Sequence, residues 1–342
     1  MNTNNVIERL TSACQRHLGE GVAVSGVRRL TGGAASSTWK FDLALADGVV
    51  RPSILRMSQV QDTMTNGIDK LTEAKVQAAV AATGAPVPSV LFELDEADGL
   101  ADGYVMECVE GESIPQKILG NDVYKVALER MQTQCAEVLA RIHSTDVSMI
   151  TTLPVLSALD QLESFEKVYR ESAQALPVFE IAFRWLRSHA PLLPDQPTLV
   201  HGDYRTGNFL VLPQSGISSV LDWELAHRGD PMEDIGWLCV NSWRFGHRDF
   251  AVGGFAHRAP FYQAYADAAG TAVDPERVHY WEVFGVLKWG VICLHMTAAH
   301  LSGEQRSVER AAIGRRVSET EIDLVQLLKA TDLKQRRTHH GG

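Results

Sequence analysis

Strand-type patterning stops near residue 110 of this chain, and long helical patterning takes over. Before that point, Val22 to Leu30 and Ser37 to Leu45 read as strands on either side of a small-residue turn, Thr31-Gly-Gly-Ala-Ala-Ser36. Arg51 to Met57, Val90 to Leu94 and Gly103 to Val109 read as further strands, because β-branched and aromatic residues alternate between turn residues. Val6 to His17 carries helical spacing. Lys70 to Ala82 is a second helical run, closed near Gly84, with Pro86 and Pro88 forcing extended backbone after it. Beyond Gly111 the pattern is helical, as in Val123 to His143 and Leu156 to Ala173. One block interrupts it: between Leu199 and Leu225, short apolar runs (Leu199-Val200, Phe209 to Leu212, Ser219 to Leu221) alternate with polar clusters. A strand-rich first part and a helix-rich second part make an α+β chain. The expected division is 1–108, a sheet with one internal helix, and 109–342, helical with a loop-rich insert at 199–225.

At 45% hydrophobic and 22% charged residues, the chain has globular composition. The 42 acidic against 32 basic residues, net −10, argue against nucleic acid as a partner. Cys14, Cys108, Cys135, Cys239 and Cys293 are odd in number and form no CxxC pair, which suits a reducing compartment. Glu8, Arg9, Arg16 and Glu20 leave no apolar signal segment in the first twenty residues. Glu282, Lys288 and His295 interrupt the apolar stretch Trp281 to His300, which reads as a buried helix. The expectation is a cytoplasmic protein with no membrane partner.

The chemistry concentrates in Val200-His-Gly-Asp-Tyr-Arg-Thr-Gly-Asn-Phe-Leu-Val211 and Ser219-Val-Leu-Asp-Trp-Glu224. Phosphoryl transfer needs hard oxygen ligands to hold magnesium against phosphate oxygens. It also needs a carboxylate to orient the attacking hydroxyl and take its proton. Asp203 and Asn208, five residues apart, offer a carboxylate and an amide oxygen, and Asp222 at the end of the next short strand offers a second carboxylate. This HxDxxxxN pattern followed by an aspartate matches the catalytic and metal loops of the kinase fold.

On these residues, together with Leu221-Asp-Trp-Glu-Leu-Ala-His-Arg-Gly-Asp-Pro-Met-Glu-Asp234, the chain resembles the aminoglycoside phosphotransferase and choline-kinase-like family, and within it bacterial members found near acyl-CoA dehydrogenases. The resemblance runs from about Leu30 to Leu328, with the specific motifs in 201–237. It implies a protein-kinase-like two-lobed fold, with a small antiparallel N-lobe sheet and a large, mainly helical C-lobe. It implies Asp203 as catalytic base, His201 as a brace for the metal loop, and Asn208 and Asp222 as Mg²⁺ ligands. Asp230 and Asp234 match a family acidic motif whose implied role is structural, tying the catalytic loop to the following helix. In this fold the third strand carries a phosphate-holding lysine paired to a glutamate on the next helix. Here Arg56 stands in that strand and Glu73 in the helix, and Arg keeps the charge and can grip phosphate bidentately. Gly32 and Gly33, with Ser36, are placed for phosphate contact. Tyr104 to Gly111 resembles the hinge, where the backbone of Glu107 and Val109 would meet the adenine edge beside Met106.

The expected activity is transfer of the terminal phosphate of ATP (or GTP) to a small molecule's hydroxyl. Trp237, Trp243, Phe245, Phe250, Phe255, Phe261 and Tyr262 follow the metal loop where this family binds its acceptors, and residues 236 to 262 contain one acidic side chain, Asp249. That composition points away from aminoglycosides and towards an apolar or acyl-bearing alcohol such as a hydroxyacyl-CoA. An antibiotic phosphotransferase and a non-catalytic pseudokinase module are the competing readings. A protein kinase is disfavoured, because no DFG follows Leu221 and no APE-like segment closes an activation loop.

Overall fold

The computed structural model describes residues 3–30, 36–58 and 67–339. In chain order the elements begin with α1 (Thr3–Leu18), β1 (Ala23–Arg29), β2 (Ser36–Ala44), β3 (Val50–Ser58), α2 (Lys70–Ala82), β4 (Val90–Glu93) and β5 (Gly103–Glu107). Then come α3 (Pro115–Gly120), α4 (Lys125–His143), α5 (Ala158–Glu171), α6 (Pro177–His189), β6 (Thr198–Val200), β7 (Phe209–Leu212), β8 (Gly216–Val220) and β9 (His227–Gly229). The last are α7 (Met232–Cys239), α8 (Arg258–Ala269), α9 (Pro275–Leu301), α10 (Val308–Gly314) and α11 (Val317–His339). They form two compact units: 1–154 with 207–227, and 155–206 with 228–342. The compositional change near residue 110 falls inside the first of them.

In the first unit, five antiparallel strands take the order β1-β2-β3-β5-β4. Alternation along a strand sends successive side chains to opposite faces. Leu55, Met57 and Val105 therefore pack with Trp39, Phe41, Phe92 and the α1 residues Val6, Leu10 and Cys14. Ile54, Tyr104 and Met106 face the other way, against Ala74 of α2. Arg56, one step from Leu55 and paired in register with Tyr104, belongs to that α2 face. Helix α2 spans the run that periodicity predicts. Asp69 caps it, accepting the Thr72 N–H at 2.8 Å, and Lys70, Glu73, Ala74 and Gln77 are all buried.

The β7–β8 hairpin completes this unit. Gln134 of α4 donates to the carbonyls of Ser215 and Ile217 and accepts the Ile217 N–H at 2.9 Å, so the hairpin is fixed to a helix. β8 starts at Gly216, three residues earlier than the apolar run suggests, and ends at Val220, so Asp222 lies beyond the strand.

In the second unit, α9 is the interior helix. By length and composition alone it is apolar enough to cross a membrane, despite the charged residues that interrupt it. Half of its most apolar window is buried in the fold, as is every residue of α9 from Tyr280 to Lys288, with Glu282 and Lys288 among them.

Candidate active site

The two units carry different parts of the predicted site. In the first, Arg56 reaches two carboxylates that are remote in sequence. Its Nη2 lies 3.1 Å from Glu73 Oε1 and donates to Asp222 Oδ1 at 3.0 Å. Glu73 is fully buried and also accepts the Tyr104 hydroxyl at 2.9 Å on Oε1 and Lys70 Nζ at 2.5 Å on Oε2. Lys70 reaches on to Glu224 Oε2 at 3.5 Å. Burial works against the Arg56 charge, but Glu73 and Asp222 outweigh it and hold the guanidinium above its ordinary value. Arg56 Nε is buried with no hydrogen-bond partner among the described residues. The Glu224 carboxyl is pushed up to about 7, chiefly by burial and then by the Asp222 charge, with Lys70 and Arg56 opposing.

Asn208 and Asp222 flank the end of the β7–β8 hairpin opposite its turn. Phe209 pairs with Val220, and the Asn208 carbonyl accepts the Leu221 N–H at 2.8 Å, which brings the next residue, Asp222, alongside. Asp222 has φ +70°, a left-handed conformation that aspartate tolerates better than most residues and that is uncommon enough to mark a built turn. The Asn208 side-chain amide oxygen and the Asp222 carboxylate, carried by residues on either side of that hairpin end, are hard oxygen donors of the type that hold Mg²⁺. Glu107, expected at the hinge, ends β5 with its N–H bonded to Ser89 O at 2.9 Å, and Val109 follows two residues later. Gly32 and Gly33 lie outside the described residues. Ser36 opens β2.

The second unit holds Asp203. His201 and Gly202 send their backbone N–H groups to the two oxygens of the buried Asp234, at 2.8 and 2.9 Å. Gly202 has φ +79°, so the His-Gly-Asp turn uses a conformation that a side chain would strain. The Asp203 N–H donates to His201 Nδ1 at 3.2 Å, so the buried imidazole acts as a strut for the loop. Two donors orient the Asp203 carboxylate at Oδ1: Trp237 Nε1 at 2.7 Å and Arg205 Nε at 2.8 Å. The guanidinium of Arg205 lies 4.5 Å over the Trp243 ring, and Lys288 donates to Gly202 O at 3.1 Å. Of the two acidic-motif residues, Asp234 alone carries the loop. Asp230 instead caps the start of α7 through the Met232 N–H and binds Arg277 and Trp281 of α9.

Sequence reasoning missed Lys70, Tyr104, Glu224, Arg205 and Lys288. The i, i+3 spacing of Lys70 and Glu73 was a usable signal, and so was Arg205 two residues after the aspartate. The burial of Lys70 and Lys288 carried no local signal. Of the aromatic run, Trp237, Trp243, Phe255 and Phe261 are buried, as aromatics at helical spacing most often are, and the cavity bordering this segment is lined by Arg244, Arg248 and Arg258.

Residues 27–281 match the model of the phosphotransferase enzyme family, and the chain belongs to that family. Its fold is the kinase-like phosphotransferase fold. Among sequence relatives, acyl-CoA dehydrogenase family member 10 of Mus musculus is 31% identical over 175 residues, a match covering 49% of this chain and 16% of the mouse protein. The curated relatives are thus far longer than the segment they share with this chain. A provisionally named aminoglycoside phosphotransferase from Ralstonia eutropha superposes with a TM-score of 0.70 at 23% identity, covering 94% of this chain and 98% of that one. A choline/ethanolamine kinase family protein from Mesorhizobium loti gives 0.59 at 18%, covering 89% and 88%. An aminoglycoside phosphotransferase APH(4)-Ia in ternary complex with ADP and hygromycin B gives 0.58 at 16%, covering 94% and 98%.

Proposed function

We propose that this chain transfers the γ-phosphoryl group of ATP to the hydroxyl of a small metabolic alcohol, with a hydroxyacyl-CoA as the leading candidate class. The observation that carries the reading is Arg56. One buried guanidinium joins the third strand to Glu73 of α2 and to Asp222 beyond β8, and it keeps an unpaired buried donor. A buried donor without an acceptor costs about 1–3 kcal/mol, which a phosphate oxygen would offset. ATP-bound Mg²⁺ would be held by Asn208 and Asp222 and would supply charge neutralisation at the phosphates. GTP is a second possible donor.

In this reading Arg56 grips the phosphates and Glu73 keeps it aimed, while the backbone of Glu107 and Val109 meets the base. Gly32, Gly33 and Ser36 would let backbone N–H groups approach the phosphates. The acceptor oxygen forms a bond to the γ-phosphorus as the bridging β–γ oxygen bond breaks, the electron pair leaves with ADP, and the hydroxyl proton passes to Asp203. Trp237 and Arg205 hold that carboxylate in one orientation, and His201 and Asp234 hold the loop beneath it. The presence of Asp203, Asn208 and Asp222 favours an enzyme over a pseudokinase. The relatives that name acyl-CoA dehydrogenases favour an acyl-bearing acceptor over an antibiotic.

The test is Asp203→Asn. Nucleotide affinity should stay within about twofold while turnover falls by ~10² or more, as for loss of a positioned base. Wild-type turnover in that variant would refute the assignment.

A further inference from the structure

Segment 240–258 is fastened to the candidate catalytic loop. The Thr206 hydroxyl donates to Gly253 O at 2.9 Å, and Arg205 stacks on Trp243. Gly254, at φ +80°, sits so close to Arg244 that an added Cβ would lie 2.6 Å from its carbonyl oxygen. Against this segment lies a cavity of about 400 Å³, within the range of small-ligand sites. Its charged and polar lining comes from Asn241, Arg244, Arg248 and Arg258, together with Glu282 of α9 and Asp323 and Gln326 of α11.

The charges do not cancel. Glu282, nearly inaccessible, is shared by two guanidiniums: Arg258 Nη2 donates to both its oxygens at 2.8 and 2.7 Å, and Arg244 Nη2 donates to one at 3.1 Å. Arg244 is further fixed by Nε and Nη2 bonds to Cys239 O, which leave its Nη1 uncommitted among the described residues. Asp323 takes both its bonds from the Asn241 amide at 3.1 Å; burial raises its carboxyl while the charges of Arg244 and Arg248 pull it down. The Arg248 guanidinium, at the exposed rim, makes no hydrogen bond or ion pair among the described residues. Three guanidiniums therefore face two carboxylates, and the two arginines with uncommitted donors border the same space. Guanidinium forks bind oxyanions bidentately, and forks already held by a buried carboxylate lose little freedom on binding.

We propose that this cavity is the anion-recognising part of the acceptor site, taking a carboxylate or phosphate group of the hydroxyl-bearing substrate on Arg244 and Arg248. The assignment rests on the phosphotransfer reading, and it selects anionic acceptors. A polycationic aminoglycoside would meet an excess of its own charge there.

The experiment uses the full chain loaded with a non-hydrolysable ATP analogue and a matched set of probes: glycerol, choline, glycerate and glycerol 3-phosphate. Calorimetry should show both anionic probes binding at least ~10-fold more tightly than glycerol or choline, the scale of one charged hydrogen bond. Arg248→Glu should erase that preference, and Arg248→Lys should keep part of it. Glycerate and glycerol 3-phosphate separate a carboxylate from a phosphate source. Equal binding of all four probes, no binding of the anionic pair, or an intact preference in Arg248→Glu would each overturn the subsite. Phosphorus NMR with ATP tests the underlying reading separately. Selective anion binding without transfer to any acceptor would sink the phosphotransferase reading while leaving the subsite standing.

Discussion

Glu73→Gln is the sharpest test of the first unit, because three donors depend on one fully buried carboxylate. Arg56 and Tyr104 engage Oε1 at 3.1 and 2.9 Å, and Lys70 engages Oε2 at 2.5 Å. Glutamine keeps one acceptor oxygen and turns an NH₂ towards either the Arg56–Tyr104 side or Lys70, so a donor must face a donor. Breaking a buried pair while its partner stays charged costs about 3–5 kcal/mol. Glu224 and Asp222 retain part of the compensation, at 3.5 Å from Lys70 and 3.0 Å from Arg56, which places the expected loss near the lower figure, about 3 kcal/mol. With a urea slope of about 2 kcal/mol/M, the midpoint of urea unfolding should fall by roughly 1.5 M. Lys70→Met alone should also destabilise, whereas Lys70→Met with Glu73→Gln should lose at least ~1 kcal/mol less than the two single losses added, since the pair no longer leaves an orphan. A midpoint shift under about 0.3 M, or strict additivity in the double variant, would show that Glu73 is not the hub of this network.

Asp222→Ala should abolish magnesium-dependent nucleotide binding, and unchanged affinity for the magnesium–nucleotide complex by calorimetry would remove Asp222 from the ligand set. Arg56→Ala should weaken ATP binding and turnover together by about 1.5–3 kcal/mol, with Arg56→Lys retaining part of both; steady-state kinetics on the two variants checks this. Glu224 sets a pH dependence in the nucleotide-free and magnesium-free protein. Its carboxyl titrates at about 7 against an ordinary 4.5, so the stability it contributes is complete below 4.5 and is lost as pH rises through 7. Allowing for its quarter exposure, the loss is about 2 kcal/mol, and Glu224→Gln should flatten the melting temperature between pH 5 and 8. Parallel wild-type and variant profiles would contradict it.

Local rules reach some parts of this protein and stop at others. Strand alternation puts Arg56 on the face opposite Leu55, and helical spacing puts Glu73 on one face of α2 with the buried Lys70 and Gln77, so their meeting was legible in two short stretches. Gly202 between His201 and Asp203 was legible as a turn residue for the same local reason, the left-handed backbone that the loop needs. The division of the acidic motif was not. Asp230 and Asp234 are four residues apart, yet one serves the catalytic loop and the other serves α9, because each oxygen bonds whichever N–H the fold delivers. Burial of a cation is equally invisible from neighbouring residues. Besides Glu73 three residues on, Lys70 reaches Glu224, 154 positions away, and composition alone would place it at the surface. The cavity shows the limit most plainly. The sequence of 236 to 262 displays its aromatics, but Trp237, Trp243, Phe255 and Phe261 are buried, and the walls facing the cavity include three arginines, two of them held by Glu282 of α9. The sequence determined which residue types could meet phosphate chemistry; tertiary structure alone decided which charges were left uncompensated, because compensation depends on distances between segments far apart along the chain.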